Sequence, residues 1–469
     1  MKLYINNVGV IKNSVIELSG ITVITGNNNS GKSTVGKVLS SIISSTINLK
    51  EKALREKVLY ANNIIDKVSS LLFENFIFRN KKNKDFLFKN YPFFYKLIEF
   101  RYLNSSSFSN IDELKDYIIG IKREIEKIDY EFLFDNFSIK SSNKNFIESF
   151  NNNRIVCINM LNNLIETIYN DLDLTKFASK KILDDLNNNF KEQIAPVKYP
   201  KEAIEVSLKS NDVVYYNIRI SNGKINDNCF SKNPFEYCFL INDVNILDEL
   251  SDFRTINRYR YMQRYSFAES FSDSIYFREN LNESLLNALI EKHSSFESQT
   301  YIQKYYKYLE TFDEVFNEDI VFIDGKYVCK DNSLDVRNLA TGSKLFAIIK
   351  ILLEHGKIDT NTLIVLDEPE NHLHPAWQLK LARLIVKLTK ELNVKFVITT
   401  HSPSFLLAIE TYSKLDGIEE LTNYYYSEIG SNKYNVNFID VRLDMEKIHY
   451  AINKPFIDIS NLFENVSEE

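Results

Sequence analysis

One eight-residue segment, Gly26-Asn-Asn-Asn-Ser-Gly-Lys-Ser33, restricts the folds open to this chain more than any other feature. It fits the pattern G-x-x-x-x-G-K-[ST], follows the apolar run Ile21–Ile24, and precedes a helical pattern over about 32–43. Its two glycines let successive backbone N–H groups turn toward one anion, and the helix N-terminus adds its dipole. Strand, loop and helix in this order predict an α/β fold that holds nucleotide phosphates, and they argue against a chance match.

Two side chains of the loop have chemistry suited to a nucleoside triphosphate. Lys32 brings a mobile positive charge to the β- and γ-phosphates. The hydroxyl of Ser33 is a ligand for Mg²⁺. The loop therefore predicts a phosphate site together with a metal site.

Two later apolar runs end in residues that fit the same chemistry. The run Leu363–Leu366 precedes two carboxylates, of which Asp367 fits a Mg²⁺ anchor and Glu368 a base that orients or deprotonates water. The run Val394–Thr399 leads to His401, which can hydrogen-bond a γ-phosphate. A lone Asp-Glu pair or a lone histidine is weak evidence, but a P-loop in the same chain favours the functional interpretation.

A polar turn just upstream of the acidic strand, Asn338-Leu-Ala-Thr-Gly-Ser-Lys344, opens an apolar helical run over 345–353. Helix N-termini attract anions, so the turn is a candidate second phosphate contact. The alternative is an ordinary helix N-cap at Thr341. Taken alone, the turn favours neither interpretation.

The separation between Lys32 and Asp367 is 335 residues, which is too long for a compact core and predicts a helical insertion. The predicted divisions are an N-terminal part with the P-loop (1–48), a helical insertion (49–200), antiparallel strands with a second helical segment (201–330), the turn with the acidic and histidine strands (331–412), and a C-terminal strand pair with a helix (413–469).

The insertion contains two apolar repeats with spacings of three and four. One runs from Ile111 to Phe132 and the other from Ile158 to Leu172, and the second could be the antiparallel partner of the first. An ordinary helical core is favoured over a protruding coiled-coil arm, because three heptads are short.

Composition excludes several classes of protein. A net charge of −6 argues against a chain that coats nucleic acid by bulk charge. Four dispersed cysteines, none in a C-x-x-C pair, exclude a disulfide framework and a cysteine-built zinc site, and they fit a reducing cytosol. We expect no signal peptide in the first residues, and no apolar run approaches the roughly 18 residues that span a bilayer. We therefore expect a cytoplasmic protein with no membrane contact.

Two basic stretches rich in aromatic residues are candidates for DNA or RNA contact, since phosphates suit arginine and bases stack on aromatic rings. The first spans 79–101. Its dense phenylalanine is typical of a core, which favours the interpretation that a solvated basic face covers an aromatic core. The second spans 253–265 and carries four arginines with no acidic residue. A nucleic-acid contact, a solvated face and a partner-protein surface all stay open for it.

Together, the P-loop, the polar turn, the Asp-Glu strand and the histidine strand resemble, in this order, the ABC-type ATPases of the SMC, RecF and OLD group. The resemblance covers about 1–45 and 320–412 well and the middle only loosely. It implies an ABC-ATPase head, with a mixed sheet, antiparallel strands and a large helical insertion, that uses ATP with Mg²⁺. It also implies a homodimer or higher homo-oligomer through head-to-tail heads.

The resemblance assigns a role to each matching position. It implies that Ser33 and Asp367 hold Mg²⁺, Glu368 is the catalytic base, and His401 senses the γ-phosphate. The loop Asn371–Pro375 would lie across the dimer seam. The implied phosphate-binding residues are Gly26, Asn27, Asn28, Asn29, Ser30, Gly31, Lys32, Ser33 and Thr34, and the implied turn that reaches the partner's nucleotide is Ala340, Thr341, Gly342 and Ser343.

Two departures from the family pattern predict slow hydrolysis. Ala340 stands where a serine is usual, so a hydroxyl aimed at the partner's γ-phosphate is missing unless Thr341 or Ser343 replaces it. Asn242 or Asp243 stands where a glutamine would be expected.

The segments NLATGSK, LDEPENHLHPAWQ and ITTHSPSFLLAIE are similar to the ATPase of Septu anti-phage defence systems, including retron-associated versions. In such systems the ATPase pairs with a separate HNH nuclease. Only 68 residues follow His401, which is too short for a TOPRIM nuclease, so we expect another chain to cut any nucleic acid. The alternative function is a DNA-repair or chromosome ATPase of the RecF/SMC kind that acts directly on DNA, with a transporter subunit a distant third.

The P-loop assignment predicts that Lys32→Ala weakens the binding of Mg-ATP. The substitution removes charge-assisted hydrogen bonds to phosphate, each worth roughly 1.5–3 kcal/mol, so the affinity should fall about tenfold or more. Titration with a fluorescent ATP analogue measures the change. Equal affinity of the variant and the parent chain would remove the assignment.

Overall fold

The structure is a computed structural model of the 469-residue chain. It describes residues 1–73, 89–91, 93–100, 103, 107–128, 144–170, 173–196, 202–231, 233–250, 283–290, 320–323, 326–330, 334–371, 373–430 and 435–467. The described residues form two compact units. The first comprises those of Met1–Ile47, Ala178–Asn257 and Tyr276–Glu469, and the second comprises those of Asn48–Phe177.

The described strands form one large mixed sheet and one separate hairpin. They are β1 (Lys2–Val8), β2 (Ile11–Glu17), β3 (Ile21–Thr25), β4 (Ile204–Ser210), β5 (Val213–Ser221), β6 (Lys224–Phe230), β7 (Tyr237–Ile241), β8 (Ile320–Ile323), β9 (Lys326–Cys329), β10 (Thr362–Asp367), β11 (Lys395–Thr400), β12 (Thr422–Ile429) and β13 (Val436–Asp440). The large sheet has 11 strands in the order β6-β5-β4-β1-β2-β13-β12-β3-β11-β10-β7, and β8 pairs with β9. The predicted α/β fold with a mixed sheet is confirmed.

Five neighbouring strands, β7, β10, β11, β3 and β12, run parallel and form the core of the sheet. All residues of β3 are buried, as expected for a parallel strand covered on both faces. Because parallel strands end at the same edge, the segments after β3, β10 and β11 lie along one side of the sheet. These are the P-loop, the Asp-Glu pair and the histidine segment.

The antiparallel part of the sheet joins β1 to β2 and β4, and continues through β5 to β6. Of the antiparallel strands predicted within 201–330, β4 and β5 are antiparallel as expected. The prediction is wrong for β7, which pairs in parallel with β10 and belongs to the core of the sheet. The strand β6 was not predicted, because this edge strand, KINDNCF, is polar and mostly exposed and shows no apolar alternation.

The described helices lie in both units. They are α1 (Lys32–Thr46), α2 (Leu49–Phe73), α3 (Phe93–Phe100), α4 (Ile111–Glu126), α5 (Lys144–Tyr169), α6 (Leu174–Phe190), α7 (Ile246–Leu250), α8 (Glu283–Ile290), α9 (Thr341–Glu354), α10 (Pro375–Leu392), α11 (Pro403–Leu415) and α12 (Met445–Ser467). Among the described residues, we find no helix with the length and apolar character needed to cross a membrane.

The second unit is built around the two predicted apolar repeats. Leu114, Ile118, Ile121 and Ile125 of α4 are buried in one cluster with residues of α2 and α5. Leu161 and Ile168 of α5 belong to the same cluster, whereas Leu172 lies outside the described residues. A shared core of several helices supports the interpretation as an ordinary helical subdomain.

The first unit, which contains the large sheet, includes the C-terminal part of the segment predicted as the helical insertion, 49–200. Ala178 onward belongs to the first unit, and Ile182 and Leu186 of α6 are buried in the same cluster as residues of the sheet. This burial on the sheet is the reason that the second unit ends at Phe177, before the end of the predicted insertion.

Both candidate nucleic-acid stretches lie largely or wholly outside the described part of the chain. Of 79–101 the structure describes only 89–91 and 93–100, and of 253–265 it describes nothing. Position 372, in the predicted loop Asn371–Pro375, is also outside the described residues. The prediction of DNA or RNA contact therefore stays a prediction.

Close packing of α1 on β10 predicts opposite effects for two glycine substitutions. A Cβ added at Gly36 would lie 2.7 Å from Cγ1 of Val365, whereas one added at Gly120, inside α4, would have no atom within 4 Å. Gly36→Ala should lower the free energy of unfolding by about 1–3 kcal/mol through overpacking. Gly120→Ala should raise it by ~0.5–1 kcal/mol through helix propensity. Urea denaturation measures both, and equal stabilisation by the two substitutions would contradict the packing.

Candidate nucleotide-binding site

Crowding against β12 determines the shape of the P-loop where it leaves β3. Gly26 has φ 146°, and a Cβ added there would lie 1.6 Å from Oγ of Ser427. Only glycine fits this combination of dihedral angle and close approach. Beyond it, Asn27–Asn29 are exposed while Ser30 is buried, so the loop presents its middle to solvent. Gly31, with φ 83°, ends the loop at the start of α1.

The side chain of Lys32 is held within the P-loop by backbone carbonyl groups of the loop. The side chain is only 4% exposed, and Nζ donates hydrogen bonds to the carbonyl oxygens of Gly26 (3.2 Å) and Asn27 (2.9 Å). Burial lowers the pKa of the Lys32 ammonium, and the nearby carboxylates of Glu368, Asp367 and Glu370 oppose that shift. The fold thus brings the P-loop lysine into the field of the acidic strand end.

The side chain of Thr399 bonds to both predicted acidic residues at the end of β10, to the carboxylate of Asp367 and to the backbone of Glu368. Asp367 pairs with Thr399 in the parallel register of β10 and β11. Oγ1 of Thr399 donates a hydrogen bond to Oδ1 of Asp367 (2.6 Å) and accepts one from the backbone N–H of Glu368 (3.0 Å). That N–H lies 3.1 Å from the carbonyl oxygen of Thr399 as well.

The backbone of Glu368 adopts a strained conformation. Its φ of 50° lies in the left-handed region, which costs a residue other than glycine roughly 1–2 kcal/mol. The bonds to Thr399 hold the residue there. Strain of this kind is typical of functional sites, where it directs a side chain that a relaxed backbone would direct elsewhere.

Glu368 and His401, the predicted base and the predicted phosphate sensor, lie side by side. Nε2 of His401 is 2.9 Å from Oε1 of Glu368, and this nitrogen is buried with no hydrogen-bond partner among the described residues. Each of the two side chains is one-third exposed. Oε2 of Glu368 accepts a hydrogen bond from Nδ2 of Asn371 (3.1 Å).

The predicted Mg²⁺ ligands offer the right donor atoms for this cation. Mg²⁺ prefers oxygen and binds through one or two protein side chains together with substrate phosphates. Oγ1 of Thr399 donates to Oδ1 of Asp367, which holds this carboxylate in place at the end of β10. Ser33, the second residue of α1, supplies a hydroxyl from the partly buried end of the P-loop.

A cavity of about 140 Å³ lies beside the two carboxylates, where the ends of β7 and β10 meet the start of α9. Asn242 and Asp243 line it together with Asp367 and Glu368. That one of these two residues stands in place of a glutamine stays a prediction. The complete lining is Ile241, Asn242, Asp243, Val244, Asn245, Thr341, Gly342, Leu345, Asp367, Glu368, Pro369 and Asn371.

Some residues of the polar turn before α9 line this cavity and others do not. Thr341 is the first residue of α9, the N-cap position is Ala340, and no side chain caps the helix. The alternative interpretation of Thr341 as an ordinary N-cap is therefore wrong. Thr341 and Gly342 line the cavity, whereas the exposed Ala340 and the half-buried Ser343 do not. The role of this turn in a partner's site stays a prediction.

Sequence reasoning missed two residues that organise the site, Thr399 and Glu370. Thr399 ends the apolar run before His401, and the two threonines that directly precede this histidine were the available signal. Glu370 is 8% exposed, and burial raises the pKa of its carboxyl while hydrogen bonds from Thr400 and His401 oppose the shift. A glutamate two residues beyond the Asp-Glu pair was the available signal.

A glycine-containing loop after a buried parallel strand, with carboxylates and a histidine at the ends of neighbouring strands, defines a P-loop nucleotide-binding domain. A family model described as "AAA ATPase domain" matches residues 1–406, and the chain belongs to this family.

Two curated relatives are retron-associated ATPases. The chain is 24% identical over 292 residues to "Retron Vc95 probable ATPase" of Vibrio cholerae serotype O1 biovar El Tor, which covers 56% of this chain and 55% of the relative. It is 32% identical over 95 residues to "Retron Ec83 probable ATPase" of Escherichia coli, which covers 18% of this chain and 17% of the relative. The chain thus spans about half the length of the first relative and less of the second.

Among solved structures, an Smc head domain with an extended coiled coil from Pyrococcus furiosus, bound to the C-terminal domain of ScpA, aligns with 98% of this chain and 98% of its own. Its identity is 11% and its TM-score 0.39. At that TM-score the fold assignment rests on the strand order of the chain itself. With the family match and the two relatives, the resemblance to ABC-type ATPases close to retron-associated ones is confirmed.

Proposed function

We propose that this chain binds ATP with Mg²⁺ and hydrolyses it slowly, as the ATPase subunit of a Septu-like anti-phage defence complex. The observation that carries the chemistry is the contact between Glu368 and His401, 2.9 Å apart. It lies at the sheet edge where the charge of Lys32 interacts with Asp367 and Glu368. Membership of an ATPase domain family supports the same chemistry.

Each residue of the site has a separate task in this proposal. Lys32 moves its charge from the loop carbonyls to the β- and γ-phosphates. Mg²⁺, when bound with ATP through Ser33 and Asp367, supplies further positive charge to the phosphates. Glu368 accepts the proton of the attacking water, and His401 donates a hydrogen bond to the γ-phosphate.

The proposed rate is low because two polar groups typical of such ATPases are replaced. Ala340 carries no hydroxyl for a partner's nucleotide. Asn242 and Asp243 are exposed residues that line the cavity beside Asp367, and whichever of them takes the place of the expected glutamine has a shorter side chain. Electrostatic groups aimed at the reacting phosphate usually account for much of the rate, so their loss slows hydrolysis.

ATP binding, in this proposal, closes two chains head to tail through Thr341, Gly342 and Ser343, and the nucleotide state controls a separate HNH nuclease. The support is the similarity to two retron-associated proteins named as ATPases. A cytoplasmic location and a contact with DNA or RNA belong to the same proposal. The neighbouring gene separates this function from direct action on DNA: an adjacent HNH reading frame supports it, and neighbouring replication genes favour a repair ATPase.

The proposed mechanism predicts different outcomes for substitutions at the two adjacent carboxylates. Glu368→Gln keeps size and hydrogen bonding but cannot accept a proton, so ATP should bind while hydrolysis falls by roughly 10²–10⁴-fold. The variant should then accumulate as an ATP-locked dimer or higher assembly. Asp367→Asn should instead lose Mg²⁺-dependent ATP binding. Single-turnover phosphate release and sedimentation with and without ATP measure these effects.

Two outcomes of this experiment would overturn separate parts of the proposal. Undiminished phosphate release by Glu368→Gln would contradict its role as the base. Lost phosphate release without any ATP-dependent change in sedimentation would keep the chemistry and refute ATP-driven dimerisation. Because the parent rate is expected to be low, the ratio of the two rates is the quantity to compare.

A further inference from the structure

One oxygen atom of Glu370 connects the two loops that carry the proposed catalytic groups. Glu370 follows β10 by three residues, and its Oε1 accepts hydrogen bonds from Oγ1 of Thr400 (2.7 Å), the N–H of His401 (2.7 Å) and the N–H of Ser402 (3.2 Å). Two of these three donors are backbone groups. The contact therefore fixes the course of the chain at His401.

The rest of the histidine loop is held from other directions. Ser402 N–H also lies 3.0 Å from Oγ1 of Thr400, and the hydroxyls of Ser402 and Ser404 both donate to Oε1 of Gln378 on α10. These bonds hold the loop at the start of α11. No bond among them reaches the backbone N–H of His401, which donates to Glu370 alone in the described part of the chain.

The second carboxylate oxygen of Glu370 takes no part in this network. Oε2 is buried without a hydrogen-bond partner among the described residues. Burying a carboxylate in this way is costly, and desolvation is the main reason that the pKa of Glu370 is raised. The gain that offsets this cost lies in the three bonds at Oε1, all from the segment Thr400–Ser402.

We propose that Glu370 is a positioning residue for ATP hydrolysis, which sets the place of His401 against Glu368 by holding the histidine loop through Oε1. Glu370 lies two residues beyond Glu368, so the same short segment carries the proposed base and the anchor of its neighbour. The inference rests on the proposed ATPase function. It extends that function by naming the residue that keeps the 2.9 Å contact between Glu368 and His401.

A purely structural role for Glu370 would have different consequences. Loss of a structural residue lowers stability and weakens every activity of the site, including ATP binding. Loss of a positioning residue that acts through His401 slows hydrolysis, leaves ATP binding at the P-loop intact, and has no further effect once His401 is removed.

The test uses two substitutions at Glu370 in the full chain, with a matched control. Glu370→Ala removes all three acceptor bonds. Glu370→Gln keeps one acceptor oxygen for these three bonds. Its amide nitrogen then takes the position of Oε2, the oxygen that has no hydrogen-bond partner. The control is Glu410→Ala on α11, which removes another largely buried carboxylate with two partners, Lys414 (2.7 Å) and His449 (2.8 Å), away from the nucleotide site.

We expect Glu370→Ala to lower the single-turnover rate by about 10- to 100-fold, because displacing a catalytic group by about 1 Å can cost up to that factor. Its affinity for a fluorescent ATP analogue should stay within about twofold of the parent chain. Glu370→Gln should recover most of the rate, and Glu410→Ala should keep it. Thermal unfolding of each variant identifies any protein that has failed to fold.

The double variant Glu370→Ala with His401→Ala decides between the two roles. If Glu370 acts through His401, the double variant hydrolyses ATP at the rate of His401→Ala alone. Rates that multiply, or ATP affinity lost in parallel with hydrolysis by Glu370→Ala, would overturn the inference. Full activity of Glu370→Ala beside inactive Glu368→Gln would refute the inference alone, whereas full activity of both Glu368→Gln and His401→Ala would refute the proposed catalytic site.

Discussion

The parallel pairing of β10 with β11 is the constraint on which the site depends. It sets Asp367 opposite Thr399, and the threonine hydroxyl then bonds to that carboxylate and to the backbone of Glu368. In the neighbouring pair, β11 and β3, Thr400 lies opposite Thr25, directly before the P-loop. A shift of one residue in either register would turn these side chains to the opposite face of the sheet. The register therefore decides whether lysine, carboxylates and histidine meet.

The parts of this site that could be predicted are those with a strong local pattern. The P-loop combines glycines, a lysine and a hydroxyl residue at fixed spacing, and the runs before Asp367 and His401 are apolar enough to predict buried parallel strands. Parallel strands end at one edge whatever their order, so proximity of these groups could be expected before the order was known. The mixed sheet was expected from the resemblance to ABC-type ATPases rather than from these patterns alone.

The parts that could not be predicted depend on tertiary contacts. Thr399 and Glu370 act through partners about 30 residues away in the sequence, and although Glu370 lies close to the Asp-Glu pair, nothing in the sequence shows which backbone groups it would bind. The edge strand β6 lacks apolar alternation because little of it is buried. The end of the second unit at Phe177 depends on the burial of Ile182 and Leu186 against the sheet, which spacing alone cannot show.

A crystal structure with Mg²⁺ and a slowly hydrolysed ATP analogue tests the central claim that these strand ends form one nucleotide site. The claim predicts that Nζ of Lys32 leaves the carbonyl oxygens of Gly26 and Asn27 and contacts the β- and γ-phosphates, with Mg²⁺ held by Ser33 and Asp367. It also predicts that Glu368 and His401 face the γ-phosphate. A nucleotide bound elsewhere, or phosphates in the loop with Lys32 still on both carbonyls, would contradict it.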